Sequence, residues 1–599
     1  MEPIFPAIPG FKPSTQQLLS LSQGSTANNA IGLDTAFDWK SDLCGLWLYG
    51  MHQGYRQLDQ LKQALPAYSP AALGISVMQH GLEQGLFNPI KAKAEQAVLS
   101  GTDPDLFRQQ NIDIESRYAE LTGQLCEQCF DHGRFSSKRA AQIFSSPQQS
   151  QAFYLKIAEL AALEYRYHSL GLTRLCAQKE LLTTLLMLIT GTPVTEPHPY
   201  RKYDDNGQPL DSFEDYLAQC QLRLEKLYQQ DAFDLVRFSE QSPAAKLGCC
   251  DFQFVEGSEW HGVKLRFYPC KAAEASDKPI LYLSSPLINQ PEIFDLAPGK
   301  SVIEGLLNAG HHVYLVDFSQ AGEQVSDLGL EFYGKRVHDR YLELIKQQHS
   351  DQPIHAMGYC MGGSLILPYL ARRAEERAAQ GLEMDINKLV LMATPVLFDD
   401  QHSGHSPMRQ LIRDSYDPSL IQQLFGAVNI PPQLIEAGMH QIQPGVRYTV
   451  TRGFYERATF DGALEDAAPF LNWLNHGTRF PALAHRQWIE RVFVGNQIHR
   501  GEYRLPSDIP QLDNQPVDMH ALTRAGVQIM DYRGLRDPIS PIGSCIASET
   551  WGANHGDGSA TTNGLNRTIE KNIGHIFVVS RKHLAEFLER ALHFYQPSS

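Results

Sequence analysis

No run in this 599-residue chain is long and apolar enough to cross a bilayer as a helix. The longest, Leu181-Leu182-Thr183-Thr184-Leu185-Leu186-Met187-Leu188-Ile189, is about half of such a span. Positive charge is also scarce: 52 Lys and Arg against 67 Asp and Glu leave a formal charge of −15. That balance argues against a nucleic-acid surface, which needs clustered cations. The opening residues Met1-Glu2-Pro3-Ile4-Phe5-Pro6 lack the basic segment and apolar core of a signal peptide, so the expected compartment is the cytoplasm. The ten cysteines are scattered, as reduced thiols in that compartment would be. Cys126 and Cys129 form a C-x-x-C, but no second pair, no histidines at ligand spacing and no thioredoxin-like setting accompany it. No metal site is therefore expected. Cys249-Cys250 reads as packing at the start of a strand.

The chain divides by texture. Residues 1–35 are rich in Pro, Ser, Gln and Gly and read as a loosely ordered arm. Residues 36–247 are mostly helical in pattern. Gln151 to Tyr165 repeats apolar residues at spacings of three and four, a core stripe, and Lys179 to Ile189 is apolar almost all round, as in a buried or interface helix. Residues 248–599 change character. Phe252–Val255 and Val263–Tyr268 alternate like a hairpin. Short apolar strands then alternate with helical stretches, at Ile280–Leu283, Val313–Val316, Ile354–Met357, Leu389–Met392 and Val527–Met530. That order predicts a parallel α/β sheet. Between the fourth and fifth of these strands, residues 399–525 are too long for a loop and read as an inserted cap carrying aromatics such as Phe454, Phe470, Trp473 and Trp488.

One stretch points to chemistry. Gly358-Tyr359-Cys360-Met361-Gly362-Gly363 follows a predicted strand and precedes a predicted helix. A strand turning sharply into a helix crowds the residue at the turn, which glycines two before and two after it relieve. The turn lifts Cys360 above the sheet edge and aims the Met361 backbone N–H at an oxyanion. A chance Gly-x-Cys-x-Gly around a buried cysteine would lack this strand–helix context. The fold class is therefore α/β, with an α/β-hydrolase catalytic domain bearing an inserted cap and a mainly helical domain before it.

That fold orders its catalytic residues as nucleophile, acid, histidine. Asp537 follows the last predicted strand, and His575 sits on Gly574-His575-Ile576 before a final helix from Lys582 to Tyr595. Either residue alone reads more simply as structural, Asp537 as a turn cap and His575 as one of 22 histidines. Together and in order they read as partners of Cys360. His575 would withdraw the thiol proton or hold it as a thiolate–imidazolium pair, and Asp537 would fix and charge-stabilise the imidazole. Asp531 lies too near a strand body and Asp317 ends an earlier strand, so both fit less well. A second oxyanion donor is expected after the early strand, in Ser284-Ser285-Pro286-Leu287-Ile288-Asn289. Pro286 cannot donate, leaving Leu287 or Ile288, with Ile288 preferred.

These residues resemble the polyhydroxyalkanoate synthases over roughly residues 278 to 595. The resemblance rests on Leu287-Ile288-Asn289-Gln290-Pro291, Leu306 to Asp317, the cysteine elbow, Leu391-Met392-Ala393-Thr394-Pro395-Val396 and Gly574-His575-Ile576. It implies polymerisation of 3-hydroxyacyl-CoA into polyester with release of CoA, without a further cofactor. Cys360 would carry the acyl chain as a thioester, and His575 and Asp537 would activate nucleophiles. It also implies a homodimer, work at the surface of a growing polyester granule, and for some family members a partner subunit. Two departures stand out: Pro538 where the family usually has histidine after the acid, and Phe318 where tryptophan usually follows the strand aspartate. A thioesterase or polyester depolymerase of the same fold, or a non-catalytic granule-associated homologue, would share much of this pattern.

Overall fold

The computed structural model describes residues 234–596, apart from short breaks at 273–276, 324–326, 351, 433, 437–443, 461 and 554–566, together with scattered positions between 116 and 232. The expected arm, the apolar helix at 179–189 and the Cys126/Cys129 pair lie outside the described residues.

The described residues form two compact units, each built from more than one stretch of chain: those up to 245 with 439–472, and 246–438 with 473–599. In the helical unit, helix α1 (Ser137–Ile143) and helix α2 (Leu235–Gln241) are described before residue 246, together with a short antiparallel hairpin of Phe130–Asp131 and Arg134–Phe135 and a 3-10 turn at Pro243–Ala245. The stripe at 151–165 is core, as its spacing predicts: Phe153 and Leu160 are buried with Leu121, Leu125 and Ile143. A second cluster joins Leu227, Leu235 and Phe238 to Phe454, Tyr455, Leu464 and Leu471. The last four belong to the stretch expected to be cap. Residues 439–472 therefore build the core of the helical unit, and only 399–438 and 473–525 of the insertion stay with the catalytic unit. Apolar spacing marks these helices as amphipathic but cannot say which partner face they cover.

The catalytic unit is organised by one eight-stranded sheet. Its strands in chain order are β1 (Gln253–Phe254), β2 (Lys264–Tyr268), β3 (Ile280–Ser284), β4 (Val313–Asp317), β5 (Ile354–Tyr359), β6 (Ile386–Met392), β7 (Gln528–Gly534) and β8 (Arg567–Lys571). The spatial order is β8-β7-β6-β5-β3-β4-β2-β1. All neighbours are parallel from β8 to β4, while β2 and β1 add antiparallel at one edge. β3, β4 and β5 are buried along their whole lengths, because helices cover both faces of a parallel sheet. β5 runs straight into helix α3 (Met361–Ala379), and after the last strand helix α4 (Arg581–Tyr595) packs Phe587, Ala591 and Phe594 inward. β8 has no counterpart in the sequence reading. Arg567-Thr568-Ile569-Glu570-Lys571 is polar and half-exposed, and it pairs only with β7.

The retained parts of the insertion are fastened to the loops beyond the C-terminal ends of the strands. Trp473 Nε1 donates to the Gln290 carbonyl at 2.9 Å, and Gln290 Nε2 donates to the His476 carbonyl at 2.8 Å, in the loop after β3. Asn429 Nδ2 donates to the Gly322 carbonyl at 3.0 Å, in the loop after β4. These bonds put helix-rich chain at the same sheet edge as the Cys360 turn.

Candidate active site

Cys360 sits between β5 and α3 with φ 49° and ψ −125°. A non-glycine residue with positive φ is strained, and here the packing on both sides imposes it. A Cβ on Gly358 would come within 2.5 Å of the Gly363 Cα. One on Gly362 would strike the carbonyl oxygens of Ser284 and Ser285, and one on Gly363 would strike the Thr394 side chain. The turn is pinned on its other side, where Cys360 N–H donates to the Met392 carbonyl at 2.9 Å and Ser364 Oγ donates to the Pro395 carbonyl at 2.6 Å. The three glycines thus let α3 start directly against the ends of β3 and β6.

That close approach sets the start of α3 against the end of β3. Met361 is the first residue of α3, where backbone N–H groups have no intrahelical acceptor. Ile288 is half-buried in the turn after β3. Ser284, the last residue of β3, donates its hydroxyl to the Gly362 carbonyl at 3.0 Å and so ties that turn to the helix start.

The acid and the histidine meet. His575 Nδ1 lies 2.8 Å from Asp537 Oδ2. The other oxygen, Asp537 Oδ1, accepts from the backbone N–H groups of Ile539 and Ser540 at 2.9 and 2.8 Å. Asp537 therefore caps its turn and orients the imidazole with different oxygens, so the two roles weighed for it coexist. Pro538, lacking an N–H, leaves those two amides to close the turn. With Nδ1 held by the carboxylate, Nε2 is the nitrogen left for Cys360, whose sulfur acts electrostatically on the ring. Burial alone would lower the pKa of His575, but the Asp537 carboxylate and the Cys360 sulfur outweigh it and hold the pKa well above the ordinary histidine value.

Two supporting residues were not anticipated. Tyr359 is buried beneath His575, with ring centroids 5.4 Å apart, and its hydroxyl donates to the His575 carbonyl at 3.2 Å. His405, 2% exposed, places Nε2 2.9 Å from the Ile539 carbonyl, on the same turn whose amides grip Asp537. Burial lowers the His405 pKa, so the ring is neutral and the tautomer with hydrogen on Nε2 is the donor. Tyr359 had a signal, as the residue before an elbow nucleophile. His405 had none, since it lies 132 positions before Asp537 and only folding joins them.

The competing acids are structural. Asp317 is paired with Arg266 at 2.7 Å and closes its own turn through Ser319 N–H. Asp531 lies inside β7, fully buried, and burial raises its pKa to about 7 against the pull of the Ser548 amide and hydroxyl. The other described thiols that show a shift are unsuited as nucleophiles: burial pushes Cys250 up to about 12, and Cys249 and Cys545 higher still.

Residues 291–418 match a family described as the alpha/beta hydrolase fold. The chain is 30% identical over 329 residues to the poly(3-hydroxyalkanoate) polymerase subunit PhaC of Haloarcula marismortui, covering 53% of this chain and 62% of that one. It is 28% identical over 292 residues to the subunit of the same name from Haloferax mediterranei, covering 48% and 55% respectively. The chain thus spans a little over half the length of these relatives.

Proposed function

From a chain that carries the α/β-hydrolase fold and is a relative of the poly(3-hydroxyalkanoate) polymerases, we propose an acyltransferase that polymerises 3-hydroxyacyl-CoA through a thioester on Cys360. The observation that carries this reading is the strained Cys360 turn together with a histidine that Asp537 holds at 2.8 Å and whose pKa the Cys360 sulfur helps to raise.

In the first half-reaction His575 Nε2 takes the thiol proton and the Cys360 sulfur attacks the thioester carbonyl of the substrate. Negative charge builds on the carbonyl oxygen, where the N–H groups of Met361 and Ile288 are the proposed donors. The C–S bond to CoA then breaks, the departing sulfur takes the proton back from His575, and free CoA leaves. In the second half-reaction His575 accepts the proton of a 3-hydroxyl, whose oxygen attacks the acyl-Cys360 carbonyl. The bond to sulfur breaks, an ester forms, and the proton returns to Cys360. A thioester station suits this cycle. It exchanges readily with the thioester of CoA and keeps the acyl group activated for an alcohol, whereas a serine ester would lose that activation. The Asp537 carboxylate supports the imidazolium that forms twice per cycle. Homodimerisation, a partner subunit and residence on the polyester surface belong to the same proposal.

The test is to mix the protein with 3-hydroxybutyryl-CoA, quench within the first turnovers, and map peptides by mass. The proposal expects a 3-hydroxyacyl adduct on the Cys360 peptide that is lost in His575→Ala. An adduct on another residue, with none on Cys360 at any quench time, would overturn it.

A further inference from the structure

Away from the catalytic turn, the described residues bring two adjacent cysteines and a carboxylate together where the chain begins the catalytic unit. Cys249 Sγ and Cys250 Sγ are 3.8 Å apart, and the Cys249 thiol donates to Asp295 Oδ1 at 3.1 Å. One ligand atom from each of the three residues lies within 4.8 Å of the other two. We propose that Cys249, Cys250 and Asp295 form a binding site for one thiophilic divalent cation, zinc, which clips the start of the catalytic unit to the chain leading into the helix Val302–Asn308, which Ser301 caps.

The spacing is the first reason. Two thiolates bound at about 2.3 Å on a tetrahedral zinc ion are about 3.8 Å apart, which is the separation of these sulfurs before any movement. The second is that the third ligand is already oriented. Asp295 is 1% exposed, its Oδ1 also accepts from the Ser301 hydroxyl at 2.7 Å, and its Oδ2 accepts from the Cys250 backbone N–H at 3.1 Å. Such partners fix the direction of a ligating carboxylate. The third is that the cysteine segment is tied down: Gly248 has φ +82°, a conformation that suits glycine, and its N–H donates to the Leu296 carbonyl at 3.3 Å. Two sulfurs with one oxygen favour zinc over magnesium or calcium, which take oxygen ligands. Both cysteines are half-buried, so a water can complete the tetrahedron.

The binding step balances without a redox partner. Two thiols release two protons, two sulfur–zinc bonds and one oxygen–zinc bond form, and the charge of the site is unchanged.

The test uses the full chain carrying Cys126→Ser and Cys129→Ser, to remove the other close cysteine pair, reduced and stripped with a chelator. Titration with Co²⁺ should give near-ultraviolet thiolate-to-cobalt absorption that saturates at one equivalent and is bleached by Zn²⁺. Zn²⁺ added in weak buffer should release two protons per chain. Cys249→Ser with Cys250→Ser should abolish the band, and Asp295→Asn should weaken zinc binding on the order of tenfold to a hundredfold. Should the cysteine variants not fold, alkylation mapping of the unsubstituted cysteines decides, with zinc expected to protect both Cys249 and Cys250. A missing cobalt band, a band that survives loss of both cysteines, or alkylation unaffected by zinc would each overturn the proposal.

Discussion

Cys360 depends on its neighbours in two ways, and each can be broken separately. Cys360→Ala keeps the turn, because alanine can be held at the same φ, but removes the sulfur. We expect CoA release to fall by more than about a hundredfold with an unchanged circular dichroism spectrum. Asp537→Asn keeps the Oδ1 turn bonds and can still orient the ring but cannot support its charge, so a severe to intermediate loss in kcat is expected, with KM little changed. His405 acts one step further out, as a positioning residue for the Asp537 turn through the Ile539 carbonyl. His405→Leu should lower kcat several-fold by loosening that turn, and His405→Gln, which keeps a donor, should recover most of it. Equal losses in the two variants would show that the donor is not what matters.

At the scale of elements, the junction of β5 and α3 was legible because steric crowding leaves a sequence trace. Gly358 and Gly362 are required by contacts under 3 Å that any Cβ would make. Gly362→Ala pushes on the backbone carbonyls of Ser284 and Ser285, which cannot swing aside. A loss of about 1–3 kcal/mol in denaturant unfolding is expected, with catalysis impaired in whatever fraction still folds.

Asp531 tests a different element. Its folded pKa, raised from 3.8 to about 7 by burial within β7, means the native state holds a proton there that the unfolded chain has released between about pH 4 and 7. Stability should therefore fall as pH rises through that window, by an amount on the order of 4 kcal/mol. Asp531→Asn, which cannot ionise, should flatten that slope in unfolding curves taken at several pH values. An unchanged slope would mean that another group sets it.

The strands visible in sequence were β1 and β2, as an alternating hairpin, and β3 to β7, whose apolar runs need no context. β8 was missed because an edge strand needs neither apolar faces nor alternation, only a neighbour to pair with. The order of Cys360, Asp537 and His575 was readable because the fold fixes it. The His405 bond and the Asp295 contact to Cys249 were not, because they join segments far apart in sequence through hydrogen bonds that no periodicity records. Cys249-Cys250 read as packing for the same reason.

For the whole molecule, the division of the insertion changes what a cap can mean. Residues 439–472 share a core with Leu227 and Phe238, so truncating the helical unit would expose apolar faces of that stretch as well. Removing residues up to 245 should therefore leave 439–472 without its buried partners and give a protein prone to aggregate, as read by light scattering. The retained cap segments are bonded to the loops after β3 and β4, where exclusion of water would matter most. In the proposed cycle an acyl-Cys360 thioester would pass either to water or to a 3-hydroxyl. Bulk water would win unless the site excludes it and holds the alcohol close, where effective molarities of about 10⁵ M become available.

The most direct measurement is a mass balance on the purified full chain supplied with 3-hydroxyacyl-CoA of several chain lengths. CoA, free 3-hydroxy acid and insoluble polyester are quantified together. The account predicts CoA release well in excess of free acid, with the difference recovered as polyester and all three products lost in Cys360→Ala. One-to-one release of CoA and free acid, with no polymer at any chain length, would contradict it and make the chain a thioesterase.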